Sequence, residues 1–420
     1  MAFQQGLSGL NAASKGLDVI GNNIANSNTV GFKASQAQFA DVYANSLLGG
    51  GNAVGIGTQV GTVAQQFSQG NISSSSNPLD VAINGSGFFR MSDNGAITFT
   101  RNGQFQLDKA GFIVNAQGVS VTGYPVDANG LIVPSSPVPL QISTGDISPQ
   151  VTSTLAATLN LDARLAPPVT AIFDPADPTS YNNSTSLTLY DTLGNPHLLS
   201  MFFVKTATPN QWDTYATVDG TPAANVDLGA GAGVATQLDF STGGILTTAM
   251  PITATIDLAA VATSLGLVNG AATPLTFTMD FGPTTQFGSN FGVNSLAQNG
   301  YTSGRLAGLA VGQDGIIRGN YSNGQSRNIG QIVLANFNNP QGLKPLGNNQ
   351  WAESSDSGPA AVGAPNTGSL GLLQAASVED SNVDLTAELV NMITMQRAYQ
   401  ANAQTIKTQD SVLQTLVNLR

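Results

Sequence analysis

Few side chains in this 420-residue sequence could carry out covalent or metal chemistry. His197 is the single histidine and cysteine is absent, so a histidine-based triad or a zinc site would depend on one residue. His197 follows Asn195-Pro196, and we interpret it as an exposed turn residue. Asp174 and Asp177 lie in a proline-rich loop, where we interpret them as solubilising charges. The sequence therefore predicts no enzyme, no metal site and no cofactor.

Two glycine-containing patterns resemble ligand-binding loops but lack the residues that bind the ligand in such loops. Residues 49–57 (GGGNAVGIG) lack the Gly-Lys-Ser/Thr ending of a phosphate-binding loop, and we expect a flexible connector there. Asp-x-x-Gly segments, such as those starting at Asp108 and Asp127, place their acids at the wrong offsets for a calcium loop. They predict tight turns in which the glycine adopts positive φ.

The composition is low in charge for a soluble protein. Charged residues make up 9% of the chain, against roughly 25% in ordinary soluble domains. Such a surface suits a protein that is covered by copies of itself. The net charge is -11, and residues 145–282 hold eleven acidic residues against two basic ones, Arg164 and Lys205. We expect this middle segment to face solvent, and the acidic balance argues against nucleic acid as a partner.

The sequence shows no signal for membrane insertion. The longest apolar stretch, at 245–268, is interrupted by Pro251 and Asp257 and should not span a bilayer. Residues 1–17 lack the basic region and continuous apolar core of a cleavable secretory leader. If the protein is exported, we expect a route that removes no leader.

Both ends of the chain carry apolar residues at alternating spacings of four and three, which is the seam of a coiled coil. A chain with such helices at its two termini is expected to polymerise or to pair end with end. The predicted assembly residues are Phe3, Leu7, Leu10, Leu17 and Ile24 in the first helix, and Leu385, Leu389, Met392, Tyr399, Ala403, Ile406, Leu413 and Val417 in the last.

The first predicted helix, residues 1–26, contains four glycines. Each costs a helix interior about 1 kcal/mol relative to alanine. The helix therefore needs a partner, and the glycines would let that partner approach closely. The last helix is predicted to begin near Ser381, because Ser381 and Asp384 have the spacing of a capping box. The glycines are Gly6, Gly9, Gly16 and Gly21.

From Asp80 the apolar period changes to two, and turn signals recur at short intervals, which predicts antiparallel β structure. Prolines at 134–139 mark a crossing into a second β region, and Pro283 marks the return. The predicted fold is multidomain and mainly β, with terminal α-helices forming a coiled coil and two nested antiparallel β domains. The expected divisions are a terminal assembly domain (1–70 and 376–420), an inner β domain (71–144 and 283–375) and an outer β domain (145–282).

Two segments resemble known signatures. The run NNIANSNTVGFK (22–33), physically a helix end, resembles the amino-terminal signature of bacterial flagellar axial proteins. The run TMQRAYQANAQT (394–405) resembles their carboxyl-terminal signature. Interior segments 180–204, 284–304 and 329–343 resemble the hook subunits of that family, whereas 206–275 matches poorly. The signature residues are Asn22, Asn23, Ile24, Asn26, Gly31, Phe32, Lys33, Arg397, Ala398, Tyr399 and Asn402.

This resemblance implies a hook subunit, part of the flexible curved tube that links rod to filament as a universal joint. It implies copies of itself, rod and hook–filament junction proteins, the hook cap and the flagellar type III export apparatus as partners. It also implies an extracellular position at the flagellar base. Three alternatives remain at this point: another axial protein such as a distal rod or junction subunit, a coiled-coil surface adhesin, and a secreted glycan-acting enzyme.

Overall fold

The computed structural model describes residues 2–42, 55, 57–143, 145–268 and 270–418, with backbone alone at 2 and 416–418. The predicted connector at 49–57 lies almost wholly outside them. The chain divides into two compact units. Unit 1 comprises Met1–Thr144, Ala307–Asn320 and Ser326–Arg420, and unit 2 comprises Gly145–Leu306 and Tyr321–Gln325.

The structure is mainly β with a helix at each end, as predicted. The helices are α1 (Ala2–Ala25), α2 (Leu258–Leu265) and α3 (Leu385–Asn418). The first strands are β1 (Ser35–Val42), β2 (Gly57–Gln65), β3 (Ile72–Ser74), β4 (Val81–Asn84), β5 (Phe88–Asp93), β6 (Ala96–Thr100), β7 (Gln106–Leu107), β8 (Ile113–Val114), β9 (Ser120–Pro125) and β10 (Val138–Pro139). The middle strands are β11 (Thr154–Asp162), β12 (Asn183–Tyr190), β13 (Pro196–Lys205), β14 (Gln211–Val218), β15 (Val226–Asp227), β16 (Thr236–Asp239), β17 (Ile252–Ile256), β18 (Leu275–Asp280), β19 (Thr285–Phe287) and β20 (Gly292–Gln298). The last strands are β21 (Leu306–Val311), β22 (Ile316–Tyr321), β23 (Ser326–Ile332), β24 (Leu334–Asn336), β25 (Lys344–Gly347), β26 (Gln350–Ala352), β27 (Ala361–Gly363), β28 (Leu372–Ala375) and β29 (Ser377–Glu379).

The largest sheet of unit 1 has 13 strands, and its main path runs β21-β22-β23-β9-β5-β6-β26-β25. Its core contains an aromatic cluster in which Phe88, Phe99, Phe337 and Trp351 meet edge to face. Two smaller pairs, β28 with β4 and β29 with β3, join strands that directly precede α3 to strands from the first hundred residues. These pairs bring the two ends of the chain together at the base of the helices.

The Asp-x-x-Gly turns form as predicted. The Oδ1 atoms of Asp108 and Asp127 each accept hydrogen bonds from the backbone amides two and four residues later. Gly111 and Gly130 adopt φ of +85° and +77°, a region that favours glycine. These acids are therefore occupied in holding turns.

Unit 2 is a sandwich of two sheets. One follows the order β15-β17-β18-β11-β19 with β20 also on β11, and the other the order β12-β13-β14-β16. Buried residues alternate along β11 and β13, so each presents an apolar face to a shared core. The indole nitrogen of Trp212 on β14 donates to Gln286 Oε1 on β19 at 3.1 Å and ties the two sheets together.

Two details of the predicted β architecture need correction. β11 runs parallel to β18 and β19, so this sheet is mixed where we expected antiparallel pairing throughout. The predicted return to the inner domain at Pro283 is also wrong. Strands β19 and β20 lie after Pro283 yet pair with β11, and they extend unit 2 to Leu306. Sequence signals for turns locate chain reversals, but they do not show which sheet the next strand joins.

Candidate assembly site: the terminal helices and their buried base

The helices α1 and α3 pack against each other along a seam of small residues. On α1 the buried or half-buried positions recur at spacings of three and four, as in a coiled coil. Four of the six positions on this seam are glycine or alanine. They are Gly6, Gly9, Ala13, Gly16, Ile20 and Asn23.

Three glycines let α3 come close to α1. A Cβ atom built on Gly6 would lie 3.1 Å from Ile406 Cγ1, and one on Gly16 would lie 3.3 Å from Met395 Sδ. At Gly9 the added atom would lie 2.7 Å from Asn402 Oδ1, which is closer than real contacts allow. The expected role of the glycines is therefore seen at these three positions. Gly21 has open space beside it and plays no such part.

The predicted apolar seam residues divide between half-buried positions and exposed positions of the helix pair. Six of its residues are exposed: Phe3, Leu7, Leu385, Leu389, Tyr399 and Leu413. Six are half-buried: Leu10, Leu17, Ile24, Met392, Ala403 and Ile406. The side chain of Val417 lies outside the described residues. The contact within one copy uses small residues of α1 against residues of α3 such as Ile406 and Met395, and six of the larger predicted residues remain exposed.

The amino-terminal signature spans the carboxyl end of α1 and the segment that follows it. Asn23 is buried; its Nδ2 donates to Ser35 O at 2.8 Å and to Glu388 Oε1 at 3.2 Å, and its Oδ1 accepts from Ser35 N. Asn26 donates to the carbonyl of Asn22 both from its side-chain Nδ2, at 3.0 Å, and from its backbone amide, at 3.1 Å, and so reinforces the end of the helix. The side-chain amide of Asn23 therefore links α1, β1 and α3.

Gly31 makes a close approach that another residue could not make. Its φ is +70°, and a Cβ atom there would lie 2.6 Å from the backbone nitrogen of Asn102. Its own amide donates to the carbonyl of Glu379 at 2.8 Å. Phe32 beside it is buried, as expected of an anchor for the turn.

A buried ion cluster lies directly below the helices. Lys33 Nζ is 2.6 Å from Glu379 Oε1, and Arg101 Nη1 is 3.0 Å from Glu379 Oε2, with all three side chains almost fully buried. Lys33 also donates to Ser68 O, and Arg101 donates to Gly85 O. Burial lowers the pKa of Lys33, while the Glu379 carboxylate opposes that shift. The cluster joins the segment that follows α1 to the strand that precedes α3.

Sequence reasoning identified Lys33 but missed Arg101 and Glu379. The partners are 278 residues apart, and no spacing rule connects them. The available signal was that a glutamate stands within an apolar, strand-like segment (ASVE) in a chain poor in charge. Such a residue needs a buried partner.

Asp384 caps α3, and the helix begins at Leu385, later than predicted. Asp384 Oδ1 accepts from the amides of Thr386 and Ala387 at 2.9 and 3.1 Å. Ser381 instead accepts from Val383 N at 3.3 Å and lies outside the helix. An aspartate at this position also favours the positive end of the helix dipole.

The carboxyl-terminal signature is divided between the two faces of α3. Ala398 is half-buried, and Asn402 lies against Gly9 with its Nδ2 bonded to the Ala398 carbonyl at 3.0 Å. Arg397 and Tyr399 are exposed. One part of the signature therefore serves the helix pair, and the other part is available to further molecules.

In unit 2, the interpretation of His197 as an exposed turn residue is wrong. His197 is only 8% exposed, and its Nδ1 lies 2.7 Å from Asp219 Oδ2 and its Nε2 3.3 Å from Asp191 Oδ2. Asp191 is buried and also holds its own turn. The histidine packs between the two acids at the start of β13.

The described part of the chain offers little for other chemistry. Within it, no group of three or more His, Cys, Asp or Glu side chains is placed to hold a metal ion. None of the helices described is long and apolar enough to cross a membrane.

Four family models match the chain in the order of its elements. Residues 3–33 match the flagella basal body rod protein model, and 82–152 match the flagellar hook protein FlgE/F/G D1 domain. Residues 160–301 match the flagellar basal body protein FlaE D2 domain, and 374–419 match the carboxyl-terminal model of the rod FlgEFG proteins. The D2 match also runs past Pro283, in agreement with the extent of unit 2.

Full-length relatives agree with these models. The flagellar hook protein FlgE of Escherichia coli K12 is 43% identical over 428 residues, and that of Salmonella typhimurium is 42% identical over 426, each match covering both chains completely. The crystal structure of Helicobacter pylori flagellar hook protein FlgE2 has a similar fold, with a TM-score of 0.51 at 14% identity over 74% of this chain and all of that one. This chain belongs to the flagellar hook protein FlgE family.

Proposed function

We propose that the chain is the structural subunit of the bacterial flagellar hook and that it polymerises through the outer faces of its terminal helices. The observation that carries this proposal is the apolar surface left on a helix pair whose own seam is already filled. Monomeric soluble proteins rarely expose large contiguous apolar patches. The exposed residues are Phe3, Leu7, Leu385, Leu389, Val390, Ile393, Tyr399, Val412 and Leu413.

In this proposal the two helix faces have different roles. The small-residue seam holds α1 to α3 within one copy, and the exposed apolar residues contact neighbouring copies along a tube. The predicted assembly residues that are exposed in one copy, such as Leu389, then become contacts between copies. The residues that are half-buried in the pair, such as Met392 and Ile406, hold the pair itself.

The buried ion cluster is proposed to carry load from the helices into the β part of unit 1. Its three charged groups join the chain segments next to α1 and α3, so a twist applied to the helices is transmitted through a fixed point. Unit 2, which is acidic, is proposed to face outward and to slide against its neighbours when the curved tube turns. We divide the chain into a terminal assembly part (1–70 and 376–420), an inner β part (71–144 and 307–375) and an outer β part (145–306).

Rod subunits are the nearest alternative within the family, because the rod protein models also match the two ends of this chain. The D2 match over 160–301 and the full-length relatives favour the hook. We further propose that the chain acts without catalysis, that rod, junction and cap proteins meet it at the ends of the polymer, and that the flagellar type III apparatus exports it.

Deletion of the gene in the native host tests the proposal. Electron microscopy of purified basal bodies should show rods without a curved segment, and cells should be non-motile. Expression of the wild-type chain should restore both. A deletion strain whose basal bodies keep a normal hook would refute the assignment.

A further inference from the structure

A groove beside the helix pair contains a carboxylate with an unsatisfied oxygen. The groove has a volume of about 200 Å³ and lies between α1, α3 and β1, with Val19, Ile20, Phe39 and Met395 among its walls. Glu388 also lines it. Oε1 of Glu388 accepts from Asn23, but Oε2 is buried and has no hydrogen-bond partner among the described residues. A buried carboxylate oxygen without a donor is costly, so this one lacks a partner that a single copy does not provide.

The matching cation is on the same helix. Arg397 is exposed, and no acidic residue lies within four positions of it on α3. The other exposed cations of the helix pair have acids nearby: Lys15 is 3.2 Å from Asp18, and Lys407 precedes Asp410 by one turn. Among the described residues of α1 and α3, Arg397 is therefore the cation with no acidic residue within four positions, and Glu388 is an acid with one unsatisfied oxygen.

These two groups cannot meet within one copy. They are nine residues apart, which places them on opposite faces of α3 and about 13 Å apart along its axis. We propose that the groove receives the Arg397 guanidinium of a second copy of this chain, which pairs with Glu388. Since the terminal torsion of a glutamate is soft, the carboxylate can turn Oε2 toward the incoming group. A planar guanidinium can then bind both oxygens.

A contact of this kind specifies how copies are arranged. The donor and the acceptor are different surfaces, so each copy offers Arg397 to one neighbour and Glu388 to another. Head-to-tail contacts that do not close into a ring produce an open helical polymer. The apolar walls of the groove, among them Val19, Ile20 and Met395, would help to exclude water from the ion pair. The inference rests on the proposed hook function and names one contact within that assembly.

Charge exchange in the native host tests the pair. R397E should reduce the number of hooks per cell about tenfold or more, because loss of one partner of a buried charge pair weakens binding by more than about tenfold at other interfaces. The double variant E388R/R397E should restore most of that loss. K407E, a matched change at another exposed cation of α3, should leave hook number unchanged. R397E forming as many hooks as wild type would overturn the pair.

A cross-linking measurement covers the case in which E388R fails to fold. R397K keeps the charge and supplies an amine, and a carbodiimide links carboxylates to amines that touch them. In purified hooks the Glu388 carboxylate should be joined to the amine at position 397 of another copy, and the joined peptide should be absent from monomers. Hooks that yield no such peptide would overturn the pair but leave the hook function standing. If the wild-type chain forms no hooks at all, the hook function itself fails.

Discussion

Removal of the Glu379 carboxylate should destabilise unit 1 far more than removal of Lys33. The carboxylate is fully buried and accepts hydrogen bonds from Lys33, Arg101 and the amide of Gly70. E379A leaves two buried cations without an anion, and breaking a buried pair in this way costs about 4 kcal/mol. K33M leaves a neutral Arg101–Glu379 pair, and Ser68 O keeps its hydrogen bond from Asn382 Nδ2 at 3.2 Å. The lost hydrogen bonds of Lys33 should therefore cost only about 1–2 kcal/mol.

The two tryptophans make this difference measurable. Trp351 lies in the aromatic cluster of unit 1, and Trp212 lies in the core of unit 2. Urea unfolding followed by fluorescence therefore reports unit 1 in a W212F background and unit 2 in a W351F background. E379A should lower the free energy of unfolding of unit 1 and leave that of unit 2 unchanged.

An exposed ion pair provides the control for this experiment. The Lys15–Asp18 pair is exposed, so K15A should cost less than about 1 kcal/mol. The reasoning is refuted if E379A costs no more than K15A, because the cluster would then behave as a hydrated surface pair. It is also refuted if K33M costs as much as E379A, because the effect would then not follow the balance of charge.

Three further predictions concern the helix seam, the outer face of α3 and unit 2. G9A should lower the temperature at which purified hooks dissociate, because the new Cβ would overpack against Asn402 at a cost of about 1–3 kcal/mol. The control G21A has open space beside it and should raise that temperature or leave it unchanged. Equal effects of the two variants would contradict the close approach of α3 to Gly9. L389D should abolish hooks in electron micrographs while the urea transitions of both units stay as in wild type; normal hooks would contradict a role of that face in assembly. Hydrogen bonds from Arg164 lower the pKa of Asp162 from 3.8 to about 2, so their stabilisation is present above pH 3.8 and is lost as the pH falls toward 2. The difference in urea midpoint between wild type and D162N should shrink over that range, and a constant difference would show that Asp162 is not the titrating group.

Local patterns predicted the elements of the fold well. The α1 end near residue 26 and the turns held by Asp108 and Asp127 follow from residues close in sequence. Period-two patterning located β4, β5 and β6. In each case the side chains that determine the structure lie within a few positions of it.

The phase of the helix seam was not predictable from apolar pattern alone. The usual assumption is that the largest apolar residues fill the contact within a chain. In this chain glycine and alanine fill it, and residues such as Leu7 and Leu389 stay exposed. A helix that contacts both its own chain and neighbouring copies carries two overlapping apolar patterns. The pattern with the larger residues need not be the one that forms the contact within the chain.

Pairing between distant residues accounts for the other differences. The residues next to His197 predict an exposed turn, but the imidazole pairs with Asp219, which lies 22 residues later. Glu379 meets Lys33 across 346 residues through the pairing of strands at the chain ends. Such contacts depend on strand order, which a single sequence does not display.

The central claim is that this chain builds the hook with unit 2 facing outward. Immunogold electron microscopy of intact flagella, with an antibody raised against residues 145–306, tests it most directly. Label confined to the short curved segment at the base of the filament is the predicted result. Label on the rod, on the junction or spread over the cell surface would contradict the account.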